Sequence, residues 1–108
     1  MKRGEIYWVK PLEEGKSVQT YDRPAVIVSN NFGNEFAPIV EVVYLSTARK
    51  KKLPTHVIIH SSLKTSIALC EQIATVPKER LNSYVGTCTE QEMLQINRAM
   101  LVSLGIIA

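Results

Sequence analysis

Apolar residues along this chain come mostly in short runs separated by polar loops, with one longer helical stretch at the end. Glu5 to Lys10 (EIYWVK) is aromatic and β-branched, which predicts a first strand. Pro24 to Ser29 (PAVIVS) is a continuous apolar run of strand length, suited to a strand covered on both faces. Asn30 to Pro38 is turn-rich, with room for one short helical turn. Ile39 to Ser46 (IVEVVYLS) is the third strand, and Thr55 to His60 and Ser66 to Cys70 are two more. Glu71 to Val76 either extends the sheet or forms a separate short strand.

The last element is the best defined. Thr89 and Glu92 form a capping-box pattern, TEQE, in which the two side chains satisfy amide groups at a helix start. Met93, Ile96, Met100, Leu101 and Leu104 then recur as one apolar face, and Gly105 marks the stop. That face is expected to pack on the sheet or against a partner. Five or more short strands with a terminal helix predict a small curved β-barrel. The strand order does not follow from the pattern.

Length and charge narrow the class. The 108 residues make one domain, 1–108, in which dimerisation would help hide apolar surface. A net charge of +3 mildly favours an anionic partner. Cys70 and Cys88 lack metal-ligand spacing and read as two reduced thiols. The start, KRGEIYW after Met1, has no apolar leader, and no run is long enough to span a bilayer. A cytoplasmic location without membrane attachment is the expectation.

Residue chemistry alone leaves several readings open. His56 and His60 lie four apart on one predicted strand, roughly 13 Å along it, too far to share a zinc ion. Each reads first as a structural or surface histidine rather than an acid–base group. The acidic residues are scattered and no glycine-rich phosphate loop occurs. No metal and no cofactor is therefore expected. Arg23 precedes Pro24, so its backbone is confined to extended geometry. Any surface arginine before a proline would look the same. Ser46 and Thr47 end the third strand, where only one of the two hydroxyls points to a given face. Arg49, Lys50, Lys51 and Lys52 form a basic run, either simply solvated or a contact zone for phosphates or an acidic peptide.

Taken in order, KRGEIYWV, DRPAVIVSNNFGN, LPTHVII, LCEQIATVPKERL and LVSLGI resemble successive segments of MazF/PemK-type toxins, at similar spacing over nearly the whole chain. The resemblance implies a mainly β fold with α: an SH3-like small β-barrel, CcdB/PemK-like, with a C-terminal helix, paired as a homodimer. It implies a sequence-specific, metal-independent endoribonuclease toxin that cleaves single-stranded messenger RNA to 2′,3′-cyclic phosphate and 5′-hydroxyl ends. It also implies a cognate antitoxin whose acidic tail competes for the RNA groove, with operator DNA engaged only through that antitoxin. Two other readings of the same fold are a non-catalytic poison of DNA gyrase and a regulator that only pairs with an antitoxin on operator DNA.

Carried onto this chain, the family's catalytic arginine falls on Arg23, to which the resemblance gives charge stabilisation and a part in proton transfer. A guanidinium with a pKa above about 12 releases its proton reluctantly, so charge stabilisation ranks first. Its catalytic threonine falls on Ser46, a departure that keeps the hydroxyl. RNA contacts are expected from Ser17 and Gln19 in the first loop, from Thr47, from Arg49 and Lys51 in the basic loop, and from Gln72. For Gln72, burial with bonds to the backbone is an equal alternative. Val18 replaces a glutamate common in relatives, and Thr20 and Tyr21 replace small residues.

Overall fold

The computed structural model describes residues 1–11, 22–48 and 51–108. Strands β1 (Glu5–Val9), β2 (Arg23–Ile27), β3 (Ile39–Ser46), β4 (His56–Ile59), β5 (Ser66–Pro77) and β6 (Leu81–Thr87) form one sheet, ordered β4-β5-β3-β2-β1-β6. Every pairing is antiparallel. A short helix α1 (Asn31–Phe36) joins β2 to β3, and helix α2 (Glu90–Ser103) closes the chain.

The alternation of strand side chains splits the core in two. Val26, Val43, Leu45, Val57 and Ile59 face α2 and meet its Ile96 and Ala99. Val9, Ala25, Ile27, Val42 and Val76 line the other face, bordered by Tyr7 and Tyr44. Ala25, Val26 and Ile27 are buried together on β2, so this strand is covered on both faces, as its unbroken apolar run predicts.

One open reading is settled and one strand was missed. Of the two alternatives for Glu71 to Val76, the first holds: the segment continues the preceding strand, and β5 runs unbroken over Ser66–Pro77. Its register on β3 jumps between Val43↔Ile73 and Leu45↔Ala68, so β5 bulges; β3 pairs with it on both sides of the bulge, whereas β4 pairs only with its first part, from Ser66 to Leu69. Strand β6 went unrecognised because its residues are mostly exposed and polar, as befits an edge.

The sheet curls without closing: among the described residues β4 and β6 do not pair. They come close nonetheless. A Cβ on Gly86 of β6 would lie 2.5 Å from the Ser61 carbonyl oxygen just beyond β4, so only glycine permits that approach. This is the expected SH3-like small barrel with its C-terminal helix, left open along one seam.

Helix α2 starts at Thr89 with both halves of the capping box formed. Gly105 adopts φ +74° just after the helix. There the Ile106 N–H donates to Leu101 O and the Gly105 N–H to Val102 O, which ends the helix in a Schellman turn. The apolar face is narrower than expected. Met93, Ile96 and Met100 pack on the sheet, whereas Leu101 and Leu104 are exposed. Leu101 is five residues past Ile96, about 140° round the helix. The buried face is completed instead by Ala99 and by the carboxylate of Glu92.

Candidate active site

Pro24 holds the backbone of Arg23 extended, and the register Val9↔Arg23 and Trp8↔Pro24 pins both residues to β1. On the other side Ala25 pairs with Tyr44, so the same register continued by two residues sets Arg23 across from Ser46. The Arg23 guanidinium carbon lies 4.5 Å from the centre of the Tyr44 ring. Such a cation–π contact orients a guanidinium while leaving its N–H groups free to donate. Among the described residues no carboxylate lies within 4.0 Å of it.

Arg23 opens onto a cavity of about 360 Å³. One wall is Trp8 of β1 with Asp22 and Pro24. A second is the end of β3 and the turn after it, with Ser46 and Thr47. The third is the hairpin between β4 and β5, with Ser62, Leu63 and Lys64. The Ser46 hydroxyl oxygen accepts from the Ala48 N–H at 3.2 Å, which shapes the turn and leaves its own O–H to donate. The cavity thus offers a fixed guanidinium, a second cation and hydroxyl donors around an apolar floor. That combination suits a phosphodiester with an adjoining base.

The structure brings Arg23, Ser46 and Thr47 together. Lys51 and Gln72 are exposed and lie outside the cavity lining. The alternative of a buried Gln72 is therefore wrong: the β5 bulge turns that residue outward beside Glu71. Ser17, Gln19 and Arg49, with Val18, Thr20 and Tyr21, lie outside the described residues. Sequence reasoning missed Trp8, Asp22 and Lys64, although Asp22 directly precedes Arg23. It also missed an anchor beneath the site. Arg80 Nε donates to Lys10 O at 3.0 Å, and Asn82 Nδ2 donates to Asp22 Oδ2 at 2.8 Å. The chain on both sides of segment 12–21 is thereby tied to residues 80–82.

The other titratable groups are engaged elsewhere. His56 Nε2 meets Glu71 Oε2 at 3.0 Å, with its side chain nearly buried, and Thr55 Oγ1 donates to Glu71 Oε1 at 2.7 Å. Burial pushes the Glu71 carboxyl up, but Thr55, its own backbone amide and His56 outweigh burial and hold it below the usual range. His60 ring Nδ1 contacts Thr65 Oγ1 at 3.3 Å. Neither histidine lines the cavity. Burial, aided by Glu71 and Glu92 respectively, pushes the Cys70 and Cys88 thiols up to about 12, so neither is an activated nucleophile. Among the described residues no three of His, Cys, Asp or Glu are grouped to hold a metal ion.

Comparison with known proteins converges on one family. Residues 2–104 match the family described as the PemK-like, MazF-like toxin of type II toxin–antitoxin systems. The chain is 36% identical to endoribonuclease MazF of Staphylococcus saprophyticus, over 98% of this chain and 92% of that protein. It is 34% identical to endoribonuclease MazF of Staphylococcus epidermidis, again over 98% of this chain and 92% of that protein. A mycobacterial endoribonuclease solved in complex with its cognate antitoxin superposes with a TM-score of 0.84 at 31% identity, over 100% of this chain and 98% of that one. With a full-length match in sequence and a shared architecture, this chain belongs to the PemK-like, MazF-like toxins of type II toxin–antitoxin systems.

Proposed function

We propose that this protein is a cytoplasmic, metal-independent endoribonuclease toxin that acts as a homodimer. Its substrate is single-stranded RNA, cut at specific sequences in messenger RNA. The observation that carries this reading is the Arg23 guanidinium, held on Tyr44 without a carboxylate partner among the described residues, in one cavity with Ser46 and Thr47. The names of the relatives support the same reaction.

The RNA 2′-hydroxyl attacks the adjacent phosphorus, giving a 2′,3′-cyclic phosphate and releasing the 5′-oxygen as a hydroxyl. The nucleophile belongs to the substrate, so the protein need only orient the backbone in line and stabilise charge. DNA lacks the 2′-hydroxyl and is spared. Arg23 donates to the phosphoryl oxygens as negative charge grows on them, and the Ser46 O–H donates beside it. Each such preorganised donor is worth about 3 kcal/mol. Thr47 and Lys64, with Ser17, Gln19, Arg49, Lys51 and Gln72, contribute RNA contacts. A cognate antitoxin with an acidic tail competes for this positive groove and links the toxin indirectly to operator DNA. The antitoxin named in the mycobacterial complex supports that partner.

The test is cleavage of a long single-stranded transcript with chelator present, followed by mapping of 5′-hydroxyl ends. Wild-type protein should cut at a short recurring sequence. Arg23→Ala should lose about 10²–10³ in rate while remaining folded. Arg23→Lys should recover little, because an ammonium does not reproduce the planar fork. Full cleavage by Arg23→Ala refutes the assignment, and no cleavage by the wild type leaves a poison or regulator of the same fold.

A further inference from the structure

We propose that Asp22 is the general base that takes the proton from the attacking 2′-hydroxyl, and that Asn82 is the residue that aims it. The inference rests on the RNA-cleaving reading above and adds the group that reading lacks. A guanidinium has donors only, so Arg23 in its charged form has no lone pair to receive a proton. The Ser46 oxygen already accepts from the Ala48 N–H, and both histidines stand outside the cavity. Among the described residues lining the cavity, Asp22 carries the only carboxylate.

The placement of that carboxylate is specific. Asp22 is the sequence neighbour of Arg23 and lines the same cavity, yet the two do not form an ion pair. Its Oδ2 instead accepts from Asn82 Nδ2 at 2.8 Å, across from β6. This leaves Oδ1 without a partner among the described residues. Asn82 therefore performs two tasks. It occupies Oδ2, so that the carboxylate is held by Asn82 rather than by Arg23, and it leaves Oδ1 as the oxygen available to take a proton. In the reaction the 2′-oxygen forms the new bond to phosphorus as its proton passes to Asp22 Oδ1. The bond from phosphorus to the 5′-oxygen breaks, and that oxygen takes its electron pair and a proton from water. Asp22 returns its proton to the hydroxide so formed, and the protein ends unchanged.

A carboxylate beside a phosphodiester also repels it. Repulsion and base catalysis predict opposite signs on removal of the charge, which makes Asp22→Asn decisive. The amide oxygen can still accept from Asn82, so the local fold should persist, as checked by the thermal midpoint. Single-turnover cleavage of a long transcript is followed across pH for the wild type, Asp22→Asn, Asp22→Glu and Asn82→Ala. Expected are a loss of about 10²–10⁴ in rate for Asp22→Asn, RNA binding no weaker than wild type, and loss of the rising acid limb of the pH–rate profile. Asp22→Glu should keep the limb at a reduced rate, and Asn82→Ala should slow cleavage less while keeping it. An Asp22→Asn variant that cleaves as fast as wild type or faster, or that retains the acid limb, overturns the proposal while leaving the RNA-cleaving reading intact. A wild-type protein that cuts no RNA removes both.

Discussion

Glu92→Gln tests how the N-terminus of α2 holds the wall of the cavity. The Glu92 side chain is only 8% exposed and receives three hydrogen bonds. Oε2 accepts from the His60 N–H at 2.7 Å. Oε1 accepts from Ser61 Oγ at 2.6 Å and from the Thr89 N–H at 2.8 Å. One carboxylate thus ties the helix cap to the β4–β5 hairpin, whose next residues line the cavity. An amide has one acceptor oxygen. If it keeps Ser61 and Thr89, its NH₂ group faces the His60 N–H, donor against donor. A buried donor left without a partner costs about 1–3 kcal/mol, and the two surviving bonds lose their charge assistance. A net loss of about 3 kcal/mol follows, which for a domain of this size lowers Tm by roughly 12–24 °C.

The pH dependence supplies an independent check. Burial pushes the Glu92 carboxyl up, but the bonds from Ser61, His60 and Thr89 outweigh it and hold the carboxyl below the usual glutamate range. A lowered folded-state value means that stability is fully present above the unfolded-state pKa and is lost as pH falls through the folded one. The gap between wild type and Glu92→Gln should be full at pH 7 and narrow on acidification below the ordinary glutamate range. Thermal melts at fixed protein concentration, at pH 7 and in acid, measure both. A Tm unchanged at pH 7, or a gap that widens in acid, would show that the carboxylate is not the tie inferred here.

The remaining predictions concern the site and the seam. Ser46→Ala should slow RNA cleavage about 10²-fold or more, while Ser46→Thr should be tolerated; single-turnover rates decide, and a fully active alanine variant would shift the role to Thr47. Gly86→Ala places a methyl group 2.5 Å from the Ser61 carbonyl. It should cost about 1–3 kcal/mol in denaturant unfolding, and an unchanged midpoint would mean that the two sheet ends part freely. RNA affinity measured by filter binding should fall steeply with salt, with a log–log slope near −0.7 for each phosphate contacted. A flat salt dependence would count against Arg23 and Lys64 as phosphate partners.

Much of the fold is local enough to be legible in the residues. The capping box at Thr89 and Glu92, the stop at Gly105 and the doubly covered β2 are all set by neighbours a few positions apart. What escaped recognition depends on distant partners. Strand β6 has little apolar alternation because most of its residues are exposed, and the continuity of β5 stayed open because its bulge is set by its register on β3, some thirty positions away. The helix face was drawn too wide because leucines at Leu101 and Leu104 look the same whether buried or exposed.

The sequence by itself determined the family resemblance, the order of most elements and the extended backbone at Arg23, since each depends on residue identity at short spacing. Only the tertiary structure decided what surrounds that arginine. The register of β2 against β1 and β3 brings in Trp8, Tyr44 and Ser46, and the hairpin after β4 brings in Lys64. The edge strand brings Asn82 to Asp22, 60 positions apart in the chain. Hydrogen bonds and packing reach only a few ångströms, so partners far apart in sequence become neighbours only once the sheet has curled.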